Sequence, residues 1–211
     1  MGKGKGMKSP RQIFLLSPAS TSGRRAAMLF NERAAFPLAV ALRRARGPQL
    51  GDVFSFVSGL YFRGKLAYAR AFARGPRGVP GVQVITSNRG LLKPDVRISI
   101  ADLQDFARTP IDAGNTEYRE PLMRDALKIA AQAGADTRIV LLGSIASGKY
   151  VDVLLDVFGD RLVFPEEFVG RGDMSRGGLV LRCVDEQREL TYVPVAGALR
   201  HGKRPPKLKP R

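Results

Sequence analysis

Short, continuous apolar runs alternate along the chain with longer segments in which apolar residues recur at helical spacing. Three runs rich in Ile, Val and Leu predict strands, at residues 12–16, 82–86 and 138–142. Strands that are apolar at every position are typical of parallel sheets covered by helices on both faces. Helices are predicted between them, at residues 24–29, 32–46, 101–108, 118–133 and 150–158. The pattern therefore predicts an α/β protein with three layers, α/β/α, and a mostly parallel central sheet.

The end of the chain has a different pattern. Two apolar runs, 178–184 and 190–195, are separated by a short polar segment. This favours a C-terminal hairpin that closes the sheet. Both termini are rich in Lys, Arg, Gly and Pro and lack an apolar period, which is typical of disorder. We therefore expect one α/β domain at residues 11–199, with a disordered basic leader at 1–10 and a disordered basic tail at 200–211.

The charge of the chain indicates its partner. The 211 residues contain 35 Lys and Arg against 19 Asp and Glu, a formal net charge of +16. A polyanion is the natural ligand of such a chain, and nucleic acid is the commonest one, although charge alone does not distinguish DNA from RNA or from an anionic membrane. No apolar run approaches the roughly 18 residues of a membrane-spanning helix. We therefore expect no membrane partner and a cytoplasmic location.

Cysteine and histidine are too scarce for several kinds of site. The single Cys183 lies in an apolar run, and the single His201 lies in the basic tail. These counts exclude a disulfide within the chain, a Ser-His-Asp or Cys-His catalytic group and a Cys/His zinc site. We expect neither a metal nor a cofactor. Any acid–base chemistry must come from carboxylates, tyrosines or lysines.

Polar loops follow the three predicted strands, at residues 17–23, 87–95 and 143–149. The carboxyl ends of strands in an open α/β sheet are where ligands bind. Ser17 and Ser144 are therefore predicted to line a base pocket, and Arg89 is predicted to contact DNA. The hydroxyl residues of the first loop have an alternative role as caps of the next helix.

The loop at 143–149 matches the phosphate-binding pattern G-x-x-x-x-G-K-S/T except at its last position. Tyr150 stands there in place of the small hydroxyl that would ligate magnesium. A strand, a glycine loop and a helix start still present backbone N–H groups to an anion. Lys149 is therefore a candidate ligand of a DNA or nucleotide phosphate.

Aromatic and cationic residues interleave at residues 58–69. Tyr61 is suited to stack on a base while Lys65 neutralises a phosphate, the combination that single-stranded or extruded nucleotides require. Phe62, Leu66 and Ala69 keep helical spacing, which favours a core position for Phe62. We therefore assign Tyr61 to the base pocket and Lys65 to DNA contact.

Two further polar loops carry carboxylates. The candidates for acid–base or electrostatic chemistry are Asp173 in the loop 170–178 and Asp112 with Asn115 in the loop 109–117. Asn115 has the alternative role of capping the following helix.

The loop 170–178 supplies other candidates. Met174 is either an apolar wedge that fills the gap left by an extruded base or an anchor into the core. Three neighbours are expected to contact DNA: Arg171, Ser175 and Arg176.

Several segments resemble known families. LLSPA at 15–19, LYFRGKLAYA at 60–69 and ITSNRGLLKPD at 85–95 resemble the YaaA-type family. That resemblance implies a DNA-binding α/β protein with a helix-hairpin-helix element. VLLGSIA at 140–146, followed by a helix, a strand and the loop 170–178, is similar to the last motif of the uracil-DNA glycosylase superfamily, in which a loop wedges the duplex open. This chain has RGDMSR at 171–176 where that motif has His-Pro-Ser.

A small, strongly basic protein that combines both likenesses also resembles the phage-defence DNA glycosylases that excise glucosylated hydroxymethylcytosine. The leading hypothesis is therefore an antiviral DNA glycosylase. It would hydrolyse the N-glycosidic bond of a modified base flipped from phage DNA and leave an abasic site. Such hydrolysis passes through a sugar with cationic character, so Asp173, Asp112 and Asn115 would supply negative charge near that sugar and orient a water. Ser17, Tyr61 and Ser144 would line the pocket of the extruded base. The alternatives are a non-catalytic nucleic-acid-binding protein of the YaaA-like family and a P-loop-like nucleotide hydrolase.

Overall fold

The computed structural model describes residues 10–206 and residue 208. Its centre is a six-stranded sheet in the order β3-β2-β1-β4-β5-β6. The strands are β1 (Gln12–Leu16), β2 (Val82–Ile85), β3 (Leu91–Leu92), β4 (Arg138–Leu142), β5 (Leu162–Pro165) and β6 (Tyr192–Pro194). The four central strands run parallel, and the edge strands β3 and β6 run antiparallel to their neighbours. The predicted, mostly parallel sheet is confirmed.

Helices cover both faces of this sheet. In the described residues they are α1 (Arg24–Phe30), α2 (Pro37–Leu42), α3 (Leu50–Ser58), α4 (Leu60–Phe72), α5 (Ile100–Arg108), α6 (Thr116–Gln132), α7 (Gly148–Phe158) and α8 (Asp173–Asp185). None of them is long and apolar enough to cross a membrane.

Each strand directs alternate side chains to opposite faces of the sheet. Phe14 and Leu16 of β1 join an apolar core built with α1 to α5 and α8. Ile13 and Leu15 join the second core, beneath α6 and α7. The central strands are thus buried on both faces, which is why their sequences are apolar at every position. The three-layer α/β/α architecture is confirmed.

The predicted C-terminal hairpin is wrong. Residues 178–184 belong to α8, and β6 pairs with β5 instead. Leu179, Val180 and Cys183 are buried at helical spacing on the side of α8 that faces α4. The β preference of this apolar run is overridden because a helix buries the same side chains against a neighbouring helix.

The helix predicted at 32–46 is shorter in the structure. α2 begins at Pro37, whose ring suits the first position of a helix. Phe36 before it is extended, with φ of −72° and ψ of 154°, because a residue that precedes proline avoids helical backbone. The proline therefore sets the start of α2 and keeps residue 36 out of it.

The predicted tail contacts the domain in its described residues. The Pro206 carbonyl accepts a hydrogen bond from Arg171, and Leu208 packs against the core that contains α8. Contacts of the domain thus continue past residue 199. Residues 1–9 of the predicted leader, and residues 207 and 209–211 of the tail, lie outside the described residues.

The chain reverses the direction of sheet growth at β1. It adds β2 on one side of β1 and later returns to add β4 on the other. In an open α/β sheet, a crevice for ligands forms at such a point, outside the carboxyl ends of the two strands. β1 and β4 are in register, with Leu16 opposite Leu142, so the polar loops that follow them begin side by side.

Candidate active site

A cleft of about 550 Å³ opens at the carboxyl ends of β1 and β4. Five of the predicted site residues line it together: Ser17, Tyr61, Ser144, Lys149 and Asp173. Hydroxyl groups and aromatic rings form much of the remaining lining: Ser20, Thr21, Ser22, Ser58, Phe106, Thr109 and Tyr150. Its volume is in the range of small-molecule and cofactor sites. Residues distant in sequence thus form one cleft at the predicted edge of the sheet.

A hydrogen bond to β4 holds Ser17 at the carboxyl end of β1, where the cleft begins. Its backbone N–H donates to the Leu142 carbonyl at 3.1 Å. A Cβ at position 143 would lie 2.9 Å from the Ser17 Cβ. Glycine at 143 therefore makes room for the Ser17 side chain beside the following loop.

Lys65 lies directly beneath Ser17. Its Nζ donates to the Ser17 carbonyl at 2.6 Å and to the Ser17 Oγ at 2.7 Å. The residue is only 1% exposed. Burial lowers the pKa of Lys65 to about 7, with Asp173 acting to raise it and Arg176 to lower it. Lys65 is therefore not the surface cation predicted for DNA contact but a buried amine under the cleft.

Tyr61 presents a second buried polar group to the cleft. Among the described residues no acceptor is found for its proton, because the Arg176 guanidinium that approaches the phenolic oxygen can only donate. Burial raises the pKa of Tyr61 above its ordinary value, although the nearby Arg176 guanidinium opposes the shift. The phenol therefore keeps its proton and retains an unused donor. We refer to Ser17, Tyr61 and Lys65 as the cleft floor.

A close crossing of α4 and α8 brings Asp173 to this floor. A Cβ on Gly177 would lie 2.9 Å from the Leu60 carbonyl oxygen and 2.9 Å from the Tyr61 Cα. A Cβ on Gly64 would in turn lie 2.9 Å from the Gly177 carbonyl oxygen. The two glycines let the helices touch backbone to backbone, so the start of α8 lies over Tyr61 and Lys65.

Asp173 is the first residue of α8, not a loop residue as predicted. Its side chain is 71% exposed, and its Oδ1 lies 3.8 Å from Arg176 Nη1. Within the described part of the chain, Asp173 is the only carboxylate that lines the cleft. A carboxylate in the first turn also stabilises the helix through its dipole, so Asp173 serves the fold as well as the cleft.

Two arginines near Asp173 form hydrogen bonds within the protein, whereas Met174 is exposed to solvent. Arg171 donates to the Glu167 carbonyl and to the Ser175 Oγ, and Arg176, only 12% exposed, donates to the Phe168 carbonyl. These predicted DNA ligands anchor the start of α8 in the structure. Met174 is 68% exposed, which rules out the core anchor, and the wedge stays a prediction.

Arg89, Asp112 and Asn115 are among the predicted site residues that do not line the cleft. Arg89 pairs with Asp102 and its guanidinium carbon lies 5.5 Å from the centre of the Phe106 ring. Asp112 accepts a hydrogen bond from the Gly114 N–H, closing a turn, and Asn115 caps α6 by accepting from the Glu117 N–H. Their polar side chains are engaged in holding loops and helix ends, as the capping alternative for Asn115 states.

The loop at 143–149 is fixed from behind by α6. The Tyr118 hydroxyl donates to the Lys149 carbonyl at 2.8 Å, and Lys149 Nζ lies 5.1 Å from the centre of the Tyr150 ring. Tyr150 is buried where the phosphate-binding pattern has a magnesium ligand. No group of three or more His, Cys, Asp or Glu side chains among the described residues is placed to hold a metal ion.

The burial of Lys65 has a signal in the sequence that the prediction missed. Tyr61, Lys65, Tyr68 and Phe72 follow one another at intervals of a helical turn, and all four are buried on α4. A lysine on the same face as three aromatic residues is expected to be buried or to extend along that face. The interleaving of cations and rings was interpreted instead as a surface for nucleotides.

Comparisons with known proteins add no relative. A scan against models of protein families, a search of curated proteins and a search of solved structures each gave no match to this chain.

Proposed function

We propose that the protein is a DNA glycosylase that hydrolyses the N-glycosidic bond of a modified base extruded from phage DNA in the cytoplasm. The observation that carries the proposal is the placement of Asp173, the only carboxylate lining the cleft among the described residues, opposite a floor of hydroxyl groups and an amine. A glycosidic transition state needs negative charge at the sugar and hydrogen-bond donors at the base.

The cleft wall suits a base removed from the stack. The rings of Tyr61, Phe106 and Tyr150 line it, and Ser144 and Thr109 add hydrogen-bonding hydroxyls. Aromatic faces with a few fixed polar groups are how enzymes hold extruded bases. A base carrying a bulky polar substituent also fits a cleft of about 550 Å³ that is open to solvent.

Asp173 then has two tasks. Its exposed carboxylate stabilises the positive charge that develops on the sugar as the bond to the base breaks. The same carboxylate orients the attacking water and accepts its proton. Since the carboxylate stands at the rim of the cleft, it is on the side from which a sugar attached to the DNA backbone would approach.

Met174 and the charge of the chain supply the DNA contact. Met174 adjoins Asp173 and is 68% exposed, as an apolar side chain that replaces an extruded base must be. Lys149 lines the cleft, and Arg24, directly after Gly23 of the lining, is exposed. With the net charge of +16, these residues favour the phosphate backbone as the partner.

Duplexes that carry unmodified cytosine, deaminated cytosine or glucosylated hydroxymethylcytosine at one position test the proposal. We expect abasic sites, detected by alkaline cleavage, on one of the modified duplexes and not on the unmodified one. Tight, salt-dependent binding of all three duplexes without any abasic site would instead establish the second candidate, a nucleic-acid-binding protein without chemistry, which the net charge by itself favours.

A further inference from the structure

The proton of the Ser17 hydroxyl has a direction that the hydrogen bonds determine. Ser17 Oγ accepts from Lys65 Nζ at 2.7 Å. The ammonium form of Lys65 can only donate, so while the lysine is charged the single proton of the serine is free to point elsewhere. Ser17 lines the cleft, so this proton is available to a ligand there.

Tyr61 adds a donor beside it. Its hydroxyl is buried and lines the same cleft, and its proton has no acceptor among the described residues, since the Arg176 guanidinium that approaches the phenolic oxygen can only donate. A buried polar group without a partner is destabilising and calls for an explanation such as a bound ligand. Two hydroxyl protons thus face one space, and both require an acceptor.

The groups around Lys65 favour an acceptor that carries negative charge. Ser17 of β1, Tyr61 of the same helix, and Asp173 and Arg176 of α8 face the amine. The carboxylate acts to stabilise the ammonium, the guanidinium acts against it, and burial outweighs both. A negative charge brought to the floor would therefore restore the ammonium form of Lys65.

We propose that the cleft floor is a recognition site for an oxygen acceptor that bears negative charge, with Ser17 and Tyr61 donating to it and Lys65 as the positioning residue behind Ser17. This inference rests on the proposed function for the identity of the ligand, which is the departing base. The bond between C1′ and the base breaks, and its electron pair leaves with the base. An exocyclic carbonyl oxygen of the resulting base anion, which shares the negative charge, then accepts from the floor.

The remaining atoms balance in the same cleft. Water forms the new bond to C1′ and gives its proton to Asp173, and the released base anion takes up a proton from solvent. Lys65 contributes no atom to the products. It polarises and orients the Ser17 hydroxyl through its hydrogen bond. Substrates whose base departs as a stable anion are therefore the favoured class.

Calorimetric titration with free bases tests the floor without requiring catalysis. The probes are 5-nitrouracil, an anion under mildly alkaline conditions, and uracil, which is neutral there. In buffers of different ionisation enthalpy at about pH 8.5, where Lys65 is mostly neutral, we expect 5-nitrouracil to bind with uptake of about one proton. Uracil is expected to bind more weakly and without proton uptake.

Two variants separate the floor from the rim. Lys65→Met removes the amine at similar volume, and we expect proton uptake to vanish and binding of 5-nitrouracil to weaken by about tenfold or more. Lys149→Met removes the cation at the rim, so binding weakens while proton uptake stays. Should Lys65→Met fail to fold, Ser17→Ala is expected to weaken 5-nitrouracil binding by a similar factor.

Several outcomes overturn the inference. It fails if native protein binds 5-nitrouracil without proton uptake, if uptake survives in Lys65→Met, or if inorganic phosphate alone shows the uptake, since the acceptor would then be a phosphate oxygen. Proton uptake without abasic sites on any duplex would refute only the glycosylase proposal. Abasic sites without proton uptake would refute only the role of the floor.

Discussion

The carboxyl edge of the sheet carries two polar clusters of opposite character. The cleft floor, Ser17, Tyr61 and Lys65, is buried and keeps unused hydrogen-bonding groups directed at a cleft. The outer cluster, which we define as Arg89, Asp102, Asp112 and Asn115, lies nearer the surface and spends its polar atoms on an ion pair, a turn and two helix caps.

The difference separates polar residues that build the fold from those available to a ligand. Both clusters belong to loops or helices at strand ends, and both contain the residue types that catalysis uses. The side chains of the outer cluster form hydrogen bonds and ion pairs within the protein, whereas the cleft floor is buried and some of its hydroxyl protons have no acceptor. Buried groups that lack a partner are expensive unless a ligand supplies one, so the floor is the better candidate for function.

Substitution of one carboxylate in each region, Asp173 or Asp112, is expected to give the largest difference in activity. Asp173→Asn removes the charge that stabilises the sugar, so we expect abasic-site formation to fall by about 100-fold or more while DNA binding remains. Asp112→Asn, in the outer cluster, is the matched control and should retain near-native activity. Equal loss in both variants would place the reactive carboxylate outside the cleft.

The pH dependence of stability sharpens the same contrast through Lys65. Its pKa is about 7 in the folded protein and near its ordinary value of 10.5 when unfolded. Between these values the unfolded chain binds more protons, so the free energy of unfolding contributed by Lys65 rises with pH and is lowest below about pH 7.

Urea unfolding at pH values between the two pKa values measures this contribution. We expect the stability of the native protein to rise by on the order of a few kcal/mol relative to Lys65→Met as the pH increases from about 7 to 9.5. Parallel curves for the two proteins would show that Lys65 is not buried as an amine of lowered pKa.

Substitution of two adjacent glycines on α8 tests the close contact of α4 and α8 that positions Asp173. Gly177→Ala places a Cβ 2.9 Å from backbone atoms of α4, so we expect a loss of about 1–3 kcal/mol in the free energy of unfolding. Gly178→Ala is the control on the same helix, because its Cβ would meet only the Leu208 side chain, at 3.4 Å. It should be neutral or stabilising through helix propensity.

The predicted role of Met174 as a wedge is tested by comparing it with another exposed apolar side chain that lies elsewhere on the surface. Met174→Ala is expected to lower activity on duplex DNA by about tenfold and to spare activity on single strands, because only the duplex must be held open. Leu127, on α6 and 54% exposed, provides the control Leu127→Ala. A uniform loss on both substrates would assign Met174 to general substrate contact instead.

The smallest effect is expected in the outer cluster. Asn115→Ala removes the cap of α6 and should lower the free energy of unfolding by about 1 kcal/mol. Activity on the preferred duplex should be unchanged at a temperature where the variant is fully folded. A strong loss of activity would return Asn115 to the chemistry.

The sheet was largely predictable from the sequence because its strands are buried on both faces and therefore apolar throughout. The same rule failed at 178–184, where an apolar run lies on α8, since local composition does not distinguish a strand from one buried face of a helix. The helix-hairpin-helix element, the DNA partner and the glycosylase chemistry implied by resemblance remain predictions.

The sequence by itself determined the layered α/β architecture and the edge at which the loops of Ser17 and Ser144 lie, because the hydrophobic period is encoded locally and parallel strands end at one edge of the sheet. Only the tertiary structure decided that Lys65 lies beneath Ser17, that Asp173 reaches the same cleft, and which of its two predicted roles Asn115 takes. The burial of Lys65 and the position of Asp173 depend on the contact of α4 with α8, and side-chain chemistry alone does not reveal which polar atoms remain without a partner.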